Sequence, residues 1–494
     1  MENSKKFYIA TYGCQMNVHE SEKLAGVLID RGYIQVQDET QADVIVFNTC
    51  CIRESAEQKI MGNIGAVKPL KKLNKDIVVA VCGCMTQQSN MATQLRQKFP
   101  FIDIIFGANN IEYFGDYLDT YFAQMKFQNS VVYNKDYMEK GGNLREIKSL
   151  LEKFTNAHGI SGFEDDIREL LEKELEPYVD TMRRDCMGNL IALKKGEGPS
   201  IMLAAHMDEI GLMVRYIDDN GFLRFVGIGG WFDQTLLNQR VVLHGKKGSI
   251  PGVIGSKPPH VMKEEDRKKP VKLDDMFIDI GAKDRGDAEN LGIEIGTAVS
   301  IDRDFVPLAN GKITSKALDN RAGIVILIEV MKRLSKHKIG ANVYAVGTVQ
   351  EEVGLKGART SAFGVYPNLA LALDTTIPGD HPGITKTDSC LEIGKGPVIT
   401  LADASGRGLI AHPQIIKWLK ETATENEIPY QLGVGSGGTT DATSIHLTKE
   451  GIPTGTVSIA TRYIHSPVEV LDVADIDACV SLIVKAIENV GKYF

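Results

Sequence analysis

The sequence lacks any apolar run long enough to cross a membrane, and no signal-peptide core follows MENSKK. It also lacks a basic excess. Net charge is −8 over 494 residues, and neither the first 137 residues nor the remainder is basic, which disfavours a nucleic-acid partner. Cysteine is sparse: eight in a chain this long do not make a disulfide framework, and a reduced, cytoplasmic protein with no membrane partner is the expectation. There is no internal repeat and no low-complexity tract. The length leaves room for more than one domain, and the composition is that of a globular chain.

What is present divides in two. Residues 7 to 125 alternate strands (KKFYIATYG, ADVIVFNTC, IVVAVCGCM, IDIIFG) with helices such as HESEKLAGVLIDRGY, the order of a small parallel α/β domain over 1–130. A polar stretch with paired glycines breaks the pattern, and 131–143 reads as a junction. Met138 lies inside it and would make a plausible start for a separate protein. From Leu144 the chain restarts with NLREIKSLLEKFTNAHG and SGFEDDIRELLEKELEPY, two amphipathic helices, the second with Ser161 as expected N-cap. The fold class expected is α/β throughout. An α/β catalytic domain (144–216 and 309–494) is interrupted by an inserted, glycine-punctuated β-rich domain (217–308).

In the long part, candidate metal ligands stand after apolar strands or beside turns: His206 and Asp208 in SIMLAAHMDEIG, Asp319 in SKALDNRAG, Glu351 and Glu352 in AVGTVQEEVGLKG, Asp374 in LALALDTT, and His465 in TRYIHSPVEV. Side chains at the carboxyl ends of parallel strands converge on one crevice. Two imidazoles and several carboxylates suit a pair of divalent cations such as zinc or cobalt. In a two-metal site one carboxylate can bridge both ions, and a spare carboxylate must carry the proton from water to the leaving amine. The adjacent glutamates offer a ligand and a base. Each piece alone is weak, since HxD is usually an ordinary strand end and LDNR a capped helix start. The weight lies in the set. His244, His260, His337, His381, His412 and His446 lack this setting and read as surface or packing residues, with His381 the one that could stand near a site mouth.

HMDEIG, ALDNRAG, VQEEVGLKG, LDTT and IHSP, in this order over about 144–494, resemble the M42 family of dinuclear metallo-aminopeptidases. The resemblance implies hydrolysis of amino-terminal residues from peptide substrates. It implies one metal on His206, Asp319 and Asp374, and another on Asp319, Glu352 and His465, with Asp319 bridging. Glu351 would be the general base, and Asp208 would orient His206. SGGTTDATSIH looks like the family's substrate loop. The resemblance also implies a homo-oligomer, with a dimer as building block and a hollow dodecamer as the larger assembly. The label "endoglucanase" given to some members fits poorly, because glycosidases use two opposed carboxylates without metal.

TYGCQMN, NTCCIRE and CGCMTQ resemble the amino-terminal domain of MiaB-type tRNA methylthiotransferases over about residues 5–130. By that resemblance Cys14, Cys50 and Cys84 would ligate a 4Fe–4S cluster, while Cys51 and Cys82 are core thiols. The radical-SAM CxxxCxxC of that family is absent, since only Cys186, Cys390 and Cys479 come after Cys84. An iron–sulfur protein related to tRNA methylthiotransferases is therefore the rival reading, and an incomplete one. Vestigial cysteines and a cluster that still forms both remain open.

Overall fold

The computed structural model describes residues 5–12, 15–49, 54–74, 77–87, 95, 98, 99, 101–107, 111, 114, 115, 118 and 136–494. The chain divides into two units, Met1–Asp136 and Tyr137–Phe494.

In the first unit, strands β1 (Lys6–Thr11), β2 (Ile34–Gln35), β3 (Val44–Thr49), β4 (Val78–Gly83) and β5 (Ile104–Ile105) form one sheet in the order β2-β1-β3-β4-β5. Every pairing is parallel. Apolar runs without alternation belong in such a sheet, because both faces are covered. Ile45, Phe47, Val79 and Val81 enter one core cluster, and Val44, Val46, Val78, Ala80 and Cys82 enter the other. Cys82 is fully buried, as expected of a core thiol, and burial pushes its thiol pKa up.

The helix Asp136–Asn156, all but its first residue in the second unit, runs through the paired glycines that the sequence pattern marks as a break. Ser161 does not cap the next helix. That helix starts at Asp165, and the Ser161 hydroxyl instead donates to Asp208 Oδ2 at 2.6 Å. A burial partner outweighed a local cap.

Strands β6 (Thr181–Arg184), β7 (Leu190–Lys194) and β8 (Ser200–His206) enter the main sheet. The chain then leaves it for a closed barrel of β9 (Gly211–Ile217), β10 (Leu223–Ile228), β11 (Arg240–Gly245), β12 (Gly248–Gly255), β13 (Phe277–Asp279) and β14 (Ala298–Ile301), ordered β10-β13-β12-β11-β14-β9. Leu212, Val214, Leu223, Phe225, Val241, Leu243, Ile254 and Ile278 fill its interior. Closure removes the free edges that short strands would otherwise expose.

After β15 (Val306–Pro307) and β16 (Lys312–Ser315), the chain returns with β17 (Asn342–Thr348), β18 (Leu369–Thr376), β19 (Val398–Ala402), β20 (Gln431–Val434), β21 (Thr454–Ala460) and β22 (Glu469–Asp472). The main sheet has the order β20-β19-β21-β18-β8-β17-β7-β6, and its centre, β21-β18-β8-β17, is parallel. The chain places β17 on one side of β8 and β18 on the other. Their carboxyl ends therefore flank a point where strand order reverses, the usual place for a site in an open α/β sheet. The helix Leu318–Leu334 is apolar on nearly all sides, and its residues from Leu318 through Met331 are buried against the sheet. Among the described residues no helix is long and apolar enough to cross a membrane.

Candidate metal centre

The sheet brings all seven of the sequence-predicted residues of the long part to one place. His206 ends β8, Asp374 lies near the end of β18, and Glu351 and Glu352 occupy the turn after β17. Asp319 reaches them from the head of the buried helix. Local values there are non-helical (Asp319 φ −81°, ψ 101°), so the side chain stands away from the helix barrel. The cap is supplied by Asn320. Its Oδ1 accepts from Gly323 N at 2.9 Å, and its Nδ2 donates to Leu373 O at 2.7 Å, one residue before Asp374. Gly323 has no room for a side chain, since a Cβ would meet Asn320 Oδ1 at 2.3 Å.

The imidazole of His206 is buried. Its Nδ1 donates to the Asp208 carbonyl at 3.0 Å, which leaves the Nε2 lone pair facing inward. Nε2 lies 3.2 Å from Asp319 Oδ1, 3.8 Å from Asp374 Oδ1 and 4.0 Å from Glu351 Oε2. On the other side, His465 Nε2 lies 3.5 Å from Asp319 Oδ2 and 3.1 Å from Glu352 Oε2. The two oxygens of Asp319 thus face two different histidines.

Asp208 orients His206 mainly through its main-chain carbonyl, its carboxylate being 3.6 Å from Nδ1. The carboxylate has another task. Its oxygens accept from Glu351 N at 3.0 Å and Glu352 N at 3.2 Å, fixing the glutamate turn to the end of β8.

The electrostatics of this cluster ask for a cation. Burial would push His206 down, yet Glu351, Asp208, Asp319 and Asp374 outweigh it and hold the imidazole well above its ordinary value. Burial likewise opposes His465, but Asp319 and Glu352 raise it to about 11. Burial, with the neighbouring acids, pushes Glu351 well up and raises Glu352 and Asp374. Without an ion a proton is favoured at each imidazole, with negative charge around it, a setting in which a divalent cation can take the proton's place. His206, Glu351 and Asp374, and separately His206, Asp319 and Glu352, stand close enough to hold an ion. Close by, Glu209 accepts from Lys316 Nζ at 2.7 Å and lies 3.4 Å from Arg321 Nη2, all three buried.

Sequence reasoning passed over two acids. Glu469 accepts from Asp319 N at 2.9 Å and from His465 N at 3.0 Å, four residues beyond His465 in the motif that carries it. Asp441, within SGGTTDATSIH, is buried, accepts from the Thr348 hydroxyl, and is raised to about 7 by burial. The histidine held back as a candidate for the site mouth, His381, packs its ring at 5.4 Å and a 52° tilt against Tyr463, two residues from His465.

Residues 188–482 match the family described as M42 glutamyl aminopeptidase. The chain belongs to that family. This M42 chain is 37% identical over 339 residues to the lysyl aminopeptidase of Pyrococcus furiosus, covering 67% of this chain and 94% of the relative. Among solved structures, an aminopeptidase from the archaeon Desulfurococcus kamchatkensis is 44% identical at a TM-score of 0.67, over 70% of this chain and 95% of the other. The TET1 peptidase of Pyrococcus horikoshii, described as assembling into a tetrahedron or a large octahedral shell, is 36% identical at a TM-score of 0.64, over 69% and 99%. The M42 chain is accordingly an aminopeptidase-family hydrolase acting on peptides.

Residues 6–107 match an uncharacterised family, UPF0004. A stretch of 113 residues is 54% identical to the tRNA-2-methylthio-N(6)-dimethylallyladenosine synthase of Clostridium tetani, covering 23% of this chain and only 25% of that enzyme. The amino-terminal unit therefore spans a quarter of that relative. Thr11 pairs with Asn48 and Thr49 with Gly83, so β1, β3 and β4 end side by side. Cys14, Cys50 and Cys51 lie outside the described residues.

Proposed function

We propose that the carboxy-terminal unit is a dinuclear metallo-aminopeptidase that removes amino-terminal residues from peptides. The observation that carries it is Asp319, with Oδ1 3.2 Å from His206 Nε2 and Oδ2 3.5 Å from His465 Nε2, the posture of a bridging carboxylate. His206, Asp319 and Asp374 would hold one ion, and Asp319, Glu352 and His465 the other. Bound there, zinc or cobalt would supply a water activated near neutral pH and polarisation of the scissile carbonyl. Glu351, beside His206 and Asp374, would take a proton from the attacking water and deliver it to the leaving amine. Asp208 keeps His206 in the tautomer that presents Nε2 and keeps the Glu351–Glu352 turn in register. The assemblies described for TET peptidases support a homo-oligomer for this chain as well.

The test is release of amino-terminal residues from short peptides with free and with acetylated amino termini, before and after chelation. Turnover on the free peptides is expected to vanish with chelator and return with zinc or cobalt, and the acetylated peptides should stay intact. Cleavage that survives complete metal removal, or that ignores acetylation, would contradict the reading.

A further inference from the structure

We infer that Glu469 is a positioning residue for the second metal: its carboxylate joins the proposed bridging ligand Asp319 to the loop that carries His465. This inference rests on the two-ion reading. Glu469 is buried, and each of its oxygens is used on a main-chain N–H of a candidate ligand, Oε2 on Asp319 N at 2.9 Å and Oε1 on His465 N at 3.0 Å.

The two partners need such a tie. His465 has φ 60° and Tyr463 φ 61°, left-handed values that a non-glycine residue holds only when its surroundings fix them. The loop is closed at its base, where Arg462 and Val470 exchange main-chain bonds at 2.8 and 3.0 Å. Inside that closure the Glu469 carboxylate reaches the strained position itself. On the other side Asp319 stands in the first turn of the helix, where N–H groups have no ladder partner, and its N–H goes to Glu469. Register fixes the distance between the two. Glu469 opens β22 and pairs with Ser315 of β16, four residues ahead of Asp319. Asp208 does the equivalent for the glutamates, accepting from the N–H of Glu351 and of Glu352. One buried carboxylate therefore aligns the base and its neighbour, and the other aligns the bridge and His465.

Glutamine at this position tests the inference. Both partners are donors, and an amide offers one acceptor and one donor, so Glu469→Gln keeps one tie and sets two donors against each other at the other. Metal-free protein is titrated with cobalt(II), following uptake and the visible absorption of the bound ion. The wild type should take two equivalents. In Glu469→Gln the first should bind as in the wild type, while the second binds about 10–100-fold more weakly with an altered spectrum. Turnover at low cobalt should fall through kcat, with KM little changed, and excess cobalt should restore it; a merely structural defect would not recover in this way. Two equivalents bound with wild-type affinity and spectrum would overturn the inference. If glutamine prevents folding, Glu469→Asp, one methylene too short to span both donors, is read by the same criteria. A wild type that takes only one equivalent would instead overturn the two-ion reading, and this inference with it.

Discussion

Glu351→Gln is expected to keep its metal and lose about 10²–10⁴-fold in kcat, the range that a positioned general base contributes. Glutamine has nearly the shape of glutamate. The turn stays in place, because Asp208 Oδ1 holds the main-chain N–H of residue 351 at 3.0 Å rather than its side chain. What disappears is the ability to accept a proton. The same variant decides between two roles, since Glu351 also stands in a group with His206 and Asp374 that could hold an ion. Metal analysis alongside kinetics separates them. Unchanged metal with lost turnover fits the base, whereas loss of an ion makes Glu351 a ligand. A near-normal kcat would remove it from both.

Asp319→Ala should be more severe on metal and comparably severe on turnover. The two histidines share this carboxylate, so its removal takes a donor from both proposed ions at once. Several kcal/mol of transition-state stabilisation would depend on those ions, so activity should fall by about 10³-fold or more. The fold should survive, because the bond to Glu469 comes from the main-chain N–H, which alanine retains. Metal analysis of purified Asp319→Ala should find fewer than two ions per chain. Two firmly bound ions in that variant would show that Asp319 is not the bridge.

The strands and the candidate metal-ligand motifs were legible because both depend on local chemistry. Apolar runs such as those of Val44–Thr49 and Val78–Gly83, short and rich in β-branched residues, suit strands covered on both faces. His206, Asp374 and the glutamate pair are marked by standing just past such runs. What escaped depends on contacts between distant segments. Nothing in IHSPVEV says that the glutamate turns back to a main-chain N–H 150 residues away. Ser161 looks like a cap, and only the fold reveals Asp208 as its partner across 47 residues. Asp208 was legible as a support for His206, but its carbonyl, not its carboxylate, makes the closer bond, and the carboxylate serves the glutamates instead. The paired glycines within MEKGGN read as a break because glycine disfavours helix, yet the helix Asp136–Asn156 continues through them, its amphipathic remainder outweighing a local cost of about 1 kcal/mol per glycine. For the cysteine turns at the other end, sequence remains the fuller witness, since Cys14 and Cys50 lie outside the described residues.

The central claim is that two ions held on Asp319 make this chain an aminopeptidase. A stoichiometric titration tests it most directly: metal-free full-length protein receives zinc or cobalt in sub-equivalent steps, and release of the amino-terminal residue is recorded at each. The account predicts that full turnover requires the second equivalent and rises no further beyond it. Full turnover after one equivalent, or none after several in a folded protein, would contradict it.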